Sequence, residues 1–320
     1  MSVSHDVWKL KGSFRYVGCA YIWKQCPKYR LNKMTKFLRS NPNISSSDAG
    51  VVLIGVPDES KSAARRRGSS KAPDVIRNAS NDSEFFERNG RVIPISPMRG
   101  SLFNKSIIDL GDFARDQLYE LVVNLIRSNK VPVVIGGDHS ITTIILNAIG
   151  STLGKVGLMY FDAHPDFVSS ARNYYGSVIT DSARVIEFEH SMLIGTRAAE
   201  QEELENASDV GLEIFSPLDI LELGIVKFAD RIVKKSRSVR RYISIDLDSV
   251  DPSNAPGVSL PSAGGLSSIE LIYLLKRAIS LGIIGMDIVE LSPDYDLNNL
   301  TANLAARILT ECIASIAPIG

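Results

Sequence analysis

"KVGLMYFDAHPD", residues 155–166, runs an apolar segment straight into two aspartates and a histidine at alternate positions. The apolar part has no polar alternation, which is the pattern of a short strand covered on both faces, as in a parallel sheet. If strand geometry continues past Phe161, a period of two places Asp162, His164 and Asp166 on one face, aimed at a common volume. Two carboxylates and an imidazole there are the donors of a metal site. Taken singly, Asp162 could equally cap a turn and His164 could be an incidental surface residue, so the rest of the chain has to decide.

The same kind of run recurs from residue 51 onward: "VVLIGVP", "VPVVIGG", "MLIGTR", "RYISIDLD" and "IIGMDIVEL". Between several of them lie helical patterns, "ARDQLYELVVNLIRSN", "SIELIYLLKRAISLG" and, near the end, "TANLAARILTECIASI". Alternating strands and helices predict an α/β fold, a three-layer α/β/α domain on a mainly parallel sheet. Ligands of such sheets gather beyond the carboxyl ends of the strands.

The residues that follow the runs fit that rule. "VPVVIGG" leads into Asp138, His139 and Ser140, "KVGLMYF" into Asp162, His164 and Asp166, "RYISI" into Asp246, Asp248 and Asp251, and "IIGMDIV" into Glu290. Aspartates at i and i+2 in a β-type run share a face and repel unless neutralised. Asp162, Asp166, Asp246 and Asp248 carry four negative charges, which two divalent cations would cancel, while His139 and His164 offer neutral nitrogen. One cation would leave a surplus of negative charge that is costly near a buried sheet edge. The count therefore predicts a binuclear site. Oxygen-rich ligation with one imidazole per ion and no thiolate favours Mn2+ over Zn2+. Two such ions activate water near neutral pH, so the implied chemistry is hydrolysis.

Composition narrows the class. With 36 basic and 36 acidic residues among 320, the formal charge is zero, and nothing in the balance points to nucleic acid or a membrane surface. Cys19, Cys26 and Cys312 form no CxxC pair, and no apolar run approaches the roughly 20 residues that span a bilayer. A cytoplasmic protein is expected. Residues 1–48 stand apart from the expected catalytic domain, 49–320: the first 40 hold nine Lys or Arg against one acid, Asp6, with interleaved aromatics. Such an arm packs over the domain or over a neighbouring protomer with its lysines solvated. "SNPNISSSDAG" reads as the linker that follows it.

At this point the chain resembles the arginase, agmatinase and formimidoylglutamase family of manganese ureohydrolases. "GGDHS" at 136, "DAHPD" at 162, "SIDLDSVDPSNAPGVSLPSAGGL" from 244 and "VELSPDYD" from 289 carry the resemblance, with "GVP" at 55, "RRGSSKAPDVIR" from 66, "DLGD" from 109 and "TANLAARIL" from 301 extending it. The resemblance implies an arginase-like fold, two Mn2+ per chain, a small amidine or guanidine as partner, and a homo-oligomer, trimer or hexamer. It places one ion on His139, Asp162, Asp166 and Asp246 and the other on Asp162, His164, Asp246 and Asp248. Glu290 would grip the amidine-like group of the substrate, since a carboxylate pairs with two coplanar N–H donors. Asp166 would relay a proton to the leaving nitrogen.

The chain departs from the family where arginases and agmatinases carry a shuttle histidine before a glycine: "FVSSARNYYGSV", residues 167–178, has Tyr175 before Gly176. Tyrosine, with a pKa near 10, replaces poorly a group titrating near 7. Formimidoylglutamases lack that histidine too, and "RRGSSKAP" and "APGVSLP" look nearer to them, whereas "GGDHSIT" is more typical of agmatinases. The loop offers Arg172 and no acid before Asp181, and Arg65, Arg66 and Arg67 add positive charge. The sequence thus favours formimidoylglutamate, with Arg172 and Tyr175 beside it. Agmatine, a guanidino acid or arginine is the alternative, and a binding protein that has lost turnover is a third. Paired Asp246 and Asp248 weigh against the single-metal deacetylases that share this architecture.

Overall fold

The computed structural model describes residues 35–40, 49–102, 106–237 and 239–316. Its centre is an eight-stranded, wholly parallel sheet. In chain order the strands are β1 (Val51–Gly55), β2 (Phe85–Arg88), β3 (Arg91–Pro94), β4 (Ile107–Asp112), β5 (Val131–Ile135), β6 (Gly157–Phe161), β7 (Met192–Ile194), β8 (Glu213–Phe215), β9 (Arg241–Asp246) and β10 (Gly285–Val289). β2 and β3 pair as a separate antiparallel hairpin, and the main sheet runs β4-β1-β5-β10-β9-β6-β7-β8. The six apolar runs are all strands. β4 and β8 lie at the two edges, and their sequences, "IIDLGD" and "EIF", are too polar or too short to stand out.

Two apolar layers cover the sheet. Alternate residues such as Val133, Ile135, Met159, Phe161, Ile243 and Ile245 pack on the helices Ala72–Ser83, Ile225–Lys235, Ser268–Ile279 and Leu300–Ser315. Val134, Leu158, Tyr160, Tyr242 and Val289 pack on the other face, against Leu118–Arg127 and Ile141–Leu153. Covering both faces is why the strands read as continuous apolar runs. All three helical patterns form helices, with Ser267 capping the second through Glu270 N–H.

The order of the sheet positions the site. β5, β10, β9 and β6, the strands that end in polar residues, are adjacent at its centre although residues 139 and 290 lie far apart in sequence. Of the N-terminal extension only 35–40 is described. Phe37 there is buried, and its N–H donates to Asp109 Oδ2 at 2.9 Å. The rest of the basic, aromatic arm lies outside the described residues.

Asp109 on β4 also accepts from Arg77 Nε at 2.8 Å and from Gly111 N–H at 2.8 Å, and Arg77 reaches Asp112 as well. Arg77 and Asp109 are both buried, so each charge depends on the other. Arg77→Ala should cost about 3–5 kcal/mol, because it strands the Asp109 carboxylate. A shift in denaturant midpoint without a change of slope checks it.

Candidate metal centre

Strand geometry does not continue beyond Phe161. β6 stops there, and the next residues form a tight turn in which Asp166 adopts a left-handed φ of 50°. The turn is held from within: His164 N–H donates to Asp162 Oδ1 at 2.6 Å. β9 likewise ends at Asp246, and Asp248 follows in a 3₁₀ turn whose N–H donates to Asp246 Oδ1 at 2.7 Å. The expected convergence is present, but turns produce it and a period of two does not. Gly137 lets the chain after β5 pass the preceding loop, since a Cβ there would stand 1.8 Å from the Asp58 carbonyl oxygen. That passage carries His139 N–H to within 2.8 Å of Glu290 Oε1. Glu290 itself has a positive φ of 65°.

Four carboxylates and two imidazoles meet in a small volume. His139 Nδ1 lies 3.0 Å from Asp162 Oδ2, 3.3 Å from Asp166 Oδ2 and 3.3 Å from Asp246 Oδ2. His164 Nδ1 lies 3.0 Å from Asp248 Oδ2 and 3.5 Å from Asp162 Oδ1. Two groups could each hold a cation, one of His139, Asp162 and Asp166 and one of Asp162, His164 and Asp248, with Asp162 common to both. Asp246 stands against the first. One imidazole N–H cannot satisfy three carboxylates, and Asp162 Oδ2 is buried without a hydrogen bond. Such a donor set suits hard divalent ions that draw on both oxygens of Asp162.

The strands beneath supply a supporting row. Across the register, Tyr160 pairs with Ser244, and Ser244 with Asp287. Ser244 Oγ donates to Asp287 Oδ1 at 2.7 Å, so its lone pair must accept from His139 Nε2–H at 2.8 Å. With a cation bound, the neutral imidazole would carry its proton on Nε2 and offer its Nδ1 lone pair on the carboxylate side. Thr142 and Tyr242 donate to the other oxygen of Asp287. Tyr160 stacks parallel to His139 at 4.7 Å and donates its hydroxyl to Asp166 Oδ2 at 2.6 Å. Sequence reasoning missed Tyr160, Ser244 and Asp287. A readable signal existed for Asp287, since a carboxylate inside the buried run "GMDIV" requires partners.

Comparison with known proteins decides the family. The model of the arginase family matches residues 49–315. The chain belongs to the arginase family. Its members are metal-dependent ureohydrolases of guanidino and amidino compounds. This arginase-family chain is 29% identical over 292 residues to the agmatinase of Proteus mirabilis, covering 87% of this chain and 91% of that one. The agmatine ureohydrolase of Thermoplasma volcanium superposes with a TM-score of 0.72 at 30% identity, covering 92% and 97% of the two chains. The proclavaminate amidino hydrolase of Streptomyces clavuligerus gives 0.77 at 27% identity, with 88% and 96% covered.

In this arginase-family chain a pocket opens above the cluster. Val168, Tyr174, Tyr175, Gly176, Ala198, Glu200, Glu203, Ser259, Leu260 and Glu290 wall it, together with the candidate ligands. No lysine or arginine is among these lining residues. Arg172 is not brought to the pocket: its side chain is 58% exposed and pairs with Asp181 Oδ1 at 3.4 Å. Arg66 lies over the Tyr295 ring, while Arg67 binds the carbonyls of Ser62 and Glu59. Asp138 and Asp251 are structural, accepting from Lys61 and Ser140 N–H and from Ser253, Gly264 and Gly265 N–H respectively. Glu200 and Glu203, which sequence reasoning missed, belong to the start of the helix Gln201–Asp209.

Charge crowding sets the proton inventory of the metal-free site. Burial first, then Asp248 and Asp166, raises the Asp162 pKa to about 6. Burial raises Glu290 to about 8. For His164 burial opposes the charge, yet Asp162 and Asp248 outweigh it and lift the pKa to about 12. All three groups bind protons more tightly folded than unfolded, so their contribution is complete at acid pH and is lost as pH rises through the folded values. Chelated protein should therefore melt lower at pH 8 than at pH 5, and added Mn2+ should restore more stability at pH 8, where fewer protons compete. Melting curves with and without chelator decide it. Separately, Ser244→Ala should weaken Mn2+ binding by about 10–100-fold, the usual worth of a group that orients a ligand histidine. A metal titration that returned the wild-type affinity would show that Ser244 does not fix the tautomer.

Proposed function

We propose that the chain hydrolyses a small guanidine bearing a second positive charge, an agmatine-type substrate, to urea and a diamine. The carrying observation is the pocket wall. Carboxylates line it on more than one element, Glu290 beside the ligand cluster and Glu200 and Glu203 from the flanking helix, with Val168, Ala198 and Leu260 also lining it and no lysine or arginine among its described residues. A dication with an apolar spacer matches that distribution, whereas formimidoylglutamate, a dianion at its far end, would meet carboxylates. The charge argument for the anionic substrate drew on Arg172, which is paired elsewhere, and on Arg65, Arg66 and Arg67, none of which is among the lining residues. The names of the relatives from Proteus mirabilis and Thermoplasma volcanium support the same direction.

In this reading His139, Asp162, Asp166 and Asp246 would hold one Mn2+ and Asp162, His164, Asp246 and Asp248 the other. Bound ions of this kind supply a water acidified to near-neutral pKa. The protein's own groups do the remainder. Glu290 Oε2 is buried without a hydrogen bond, while Oε1 is committed to His139 N–H, so Oε2 is the atom available to the guanidinium. Tyr160 orients Asp166, which takes the proton from the attacking water and returns it to the departing amine nitrogen. Attack forms the C–O bond at a tetrahedral carbon, the C–N bond then breaks, and the remaining hydroxyl proton follows to the amine, so that urea and the protonated amine leave.

Release of urea or formamide from agmatine, arginine, 4-guanidinobutyrate and N-formimidoylglutamate by Mn2+-loaded protein tests the assignment. Agmatine should lead the two acidic-tailed compounds in kcat/KM by on the order of tenfold or more. Efficient turnover of formimidoylglutamate with none of agmatine overturns it. Glu290→Gln should keep its metal and lose about 1.5–3 kcal/mol of transition-state stabilisation. Asp162→Asn and Asp246→Asn should lose metal and turnover together. Equal metal loss in all three variants would remove Glu290 from the substrate.

A further inference from the structure

The loop that lacks the shuttle histidine is fixed at both ends. Glu202 accepts the N–H groups of Ser169 at 2.7 Å and Ser170 at 2.8 Å, and Asp181 accepts from Asn173 N–H at 2.7 Å and from Ser177 Oγ at 2.6 Å. Arg172 closes on the same Asp181. Between these anchors stand Tyr174 and Tyr175, both half-buried and both in the pocket wall, their rings edge to face at 5.6 Å and 83°. Gly176 makes the pair possible: a Cβ there would meet the Tyr174 ring at 2.9 Å.

The two phenols have different surroundings. Tyr175 lies in the negative field of Glu290 and Asp166, at the reacting end, and burial together with that field raises its pKa above the ordinary value. Tyr174 lies in the field of Asp166 and of Glu203 and Glu200, the last two at the start of the helix Gln201–Asp209. Neither ring can serve as a group titrating near 7. The edge-to-face contact takes up one face of one ring only, and an aromatic face beside carboxylates is a site for a desolvated cation.

We infer that Tyr174 and Tyr175 form an aromatic clamp on the two cationic ends of the substrate, Tyr175 against the guanidinium held by Glu290 and Tyr174 against the tail cation near Glu200 and Glu203. The inference rests on the dicationic-guanidine reading above and adds a role for the residue that stands in the histidine's place. It binds by its face and moves no proton.

Agmatine titrated into the full-length, Mn2+-loaded protein is the test. With turnover the titration gives KM and kcat, and without turnover it gives a Kd, so the clamp can be read even if the hydrolase reading fails. Tyr175→Phe, which keeps the face, should stay within about twofold of wild type. Tyr175→Leu should raise KM or Kd about tenfold with a smaller change in kcat. Tyr174→Leu should weaken agmatine similarly yet leave butylguanidine, which has no tail cation, nearly unaffected. Gly176→Ala, which displaces the Tyr174 ring without removing it, should reproduce Tyr174→Leu. Metal content measured on each variant should match wild type. Wild-type affinity in Tyr175→Leu overturns the clamp, and so does a loss in Tyr175→Phe as large as in Tyr175→Leu, which would assign the role to the hydroxyl.

Discussion

Five carboxylates, those of Asp162, Asp166, Asp246, Asp248 and Glu290, are buried together at one edge of the sheet, and their mutual repulsion is the constraint that the surrounding structure answers. Two like charges about 4 Å apart repel by roughly 4 kcal/mol at an effective dielectric of 20, so several unbalanced charges would cost more than a domain's whole net stability. Protons answer it in the metal-free protein, where Asp162, Asp246 and Glu290 are all pushed upward by burial and His139 and His164 are held charged by their neighbours. Cations answer it better, since a divalent ion cancels two charges where a proton cancels one.

Meeting that requirement needs rigidity, and the sheet order provides it. β5, β10, β9 and β6 run side by side, each hydrogen-bonded on both edges and packed on both faces, so the four ends cannot drift apart as the carboxylates repel. The polar row one step below, Tyr160, Ser244 and Asp287, extends the same logic into the sheet. Every hydroxyl in it has an assigned direction, and the last carboxylate is satisfied by Ser244, Thr142 and Tyr242 together. A half-satisfied network at that depth would cost more than an apolar one.

Strands buried on both faces announce themselves by composition, which is why the three-layer architecture and all six central runs were legible. The gathering of these acids and histidines at one edge of the sheet was legible as well, because such residues directly after apolar runs are hard to explain otherwise. The geometry behind it was not. Nothing local tells that Asp166 takes a left-handed conformation or that Asp248 sits in a 3₁₀ turn whose carboxylate accepts from Ala163 N–H, 85 residues away in sequence. The edge strands were missed because half-covered strands of three to six residues carry little apolar signal. Arg172 was misread for a related reason: charge in a loop says nothing of its partner, and Asp181, nine residues on, claims it.

Glu203 shows how the rigid edge and the variable wall are joined. Its buried carboxylate accepts from Phe167 N–H, the residue after the candidate ligand Asp166, and from the N–H of Glu200, which also lines the pocket. Asn206 on the same helix donates to the Phe167 carbonyl, and Ile179 N–H donates to the Asp166 carbonyl from the far side of the tyrosine loop. The turn from Asp162 to Asp166, the helix with the two glutamates and the loop with Tyr174 and Tyr175 therefore form one mechanical unit. Burial raises the Glu203 pKa to about 7 even though two N–H donors favour its charged form. A tail cation nearby would lower it again by favouring the ionised carboxylate. In the proposed complex the charge that recognises the substrate is thus completed by the substrate, while the oxygens that hold the turn in place stay bonded throughout.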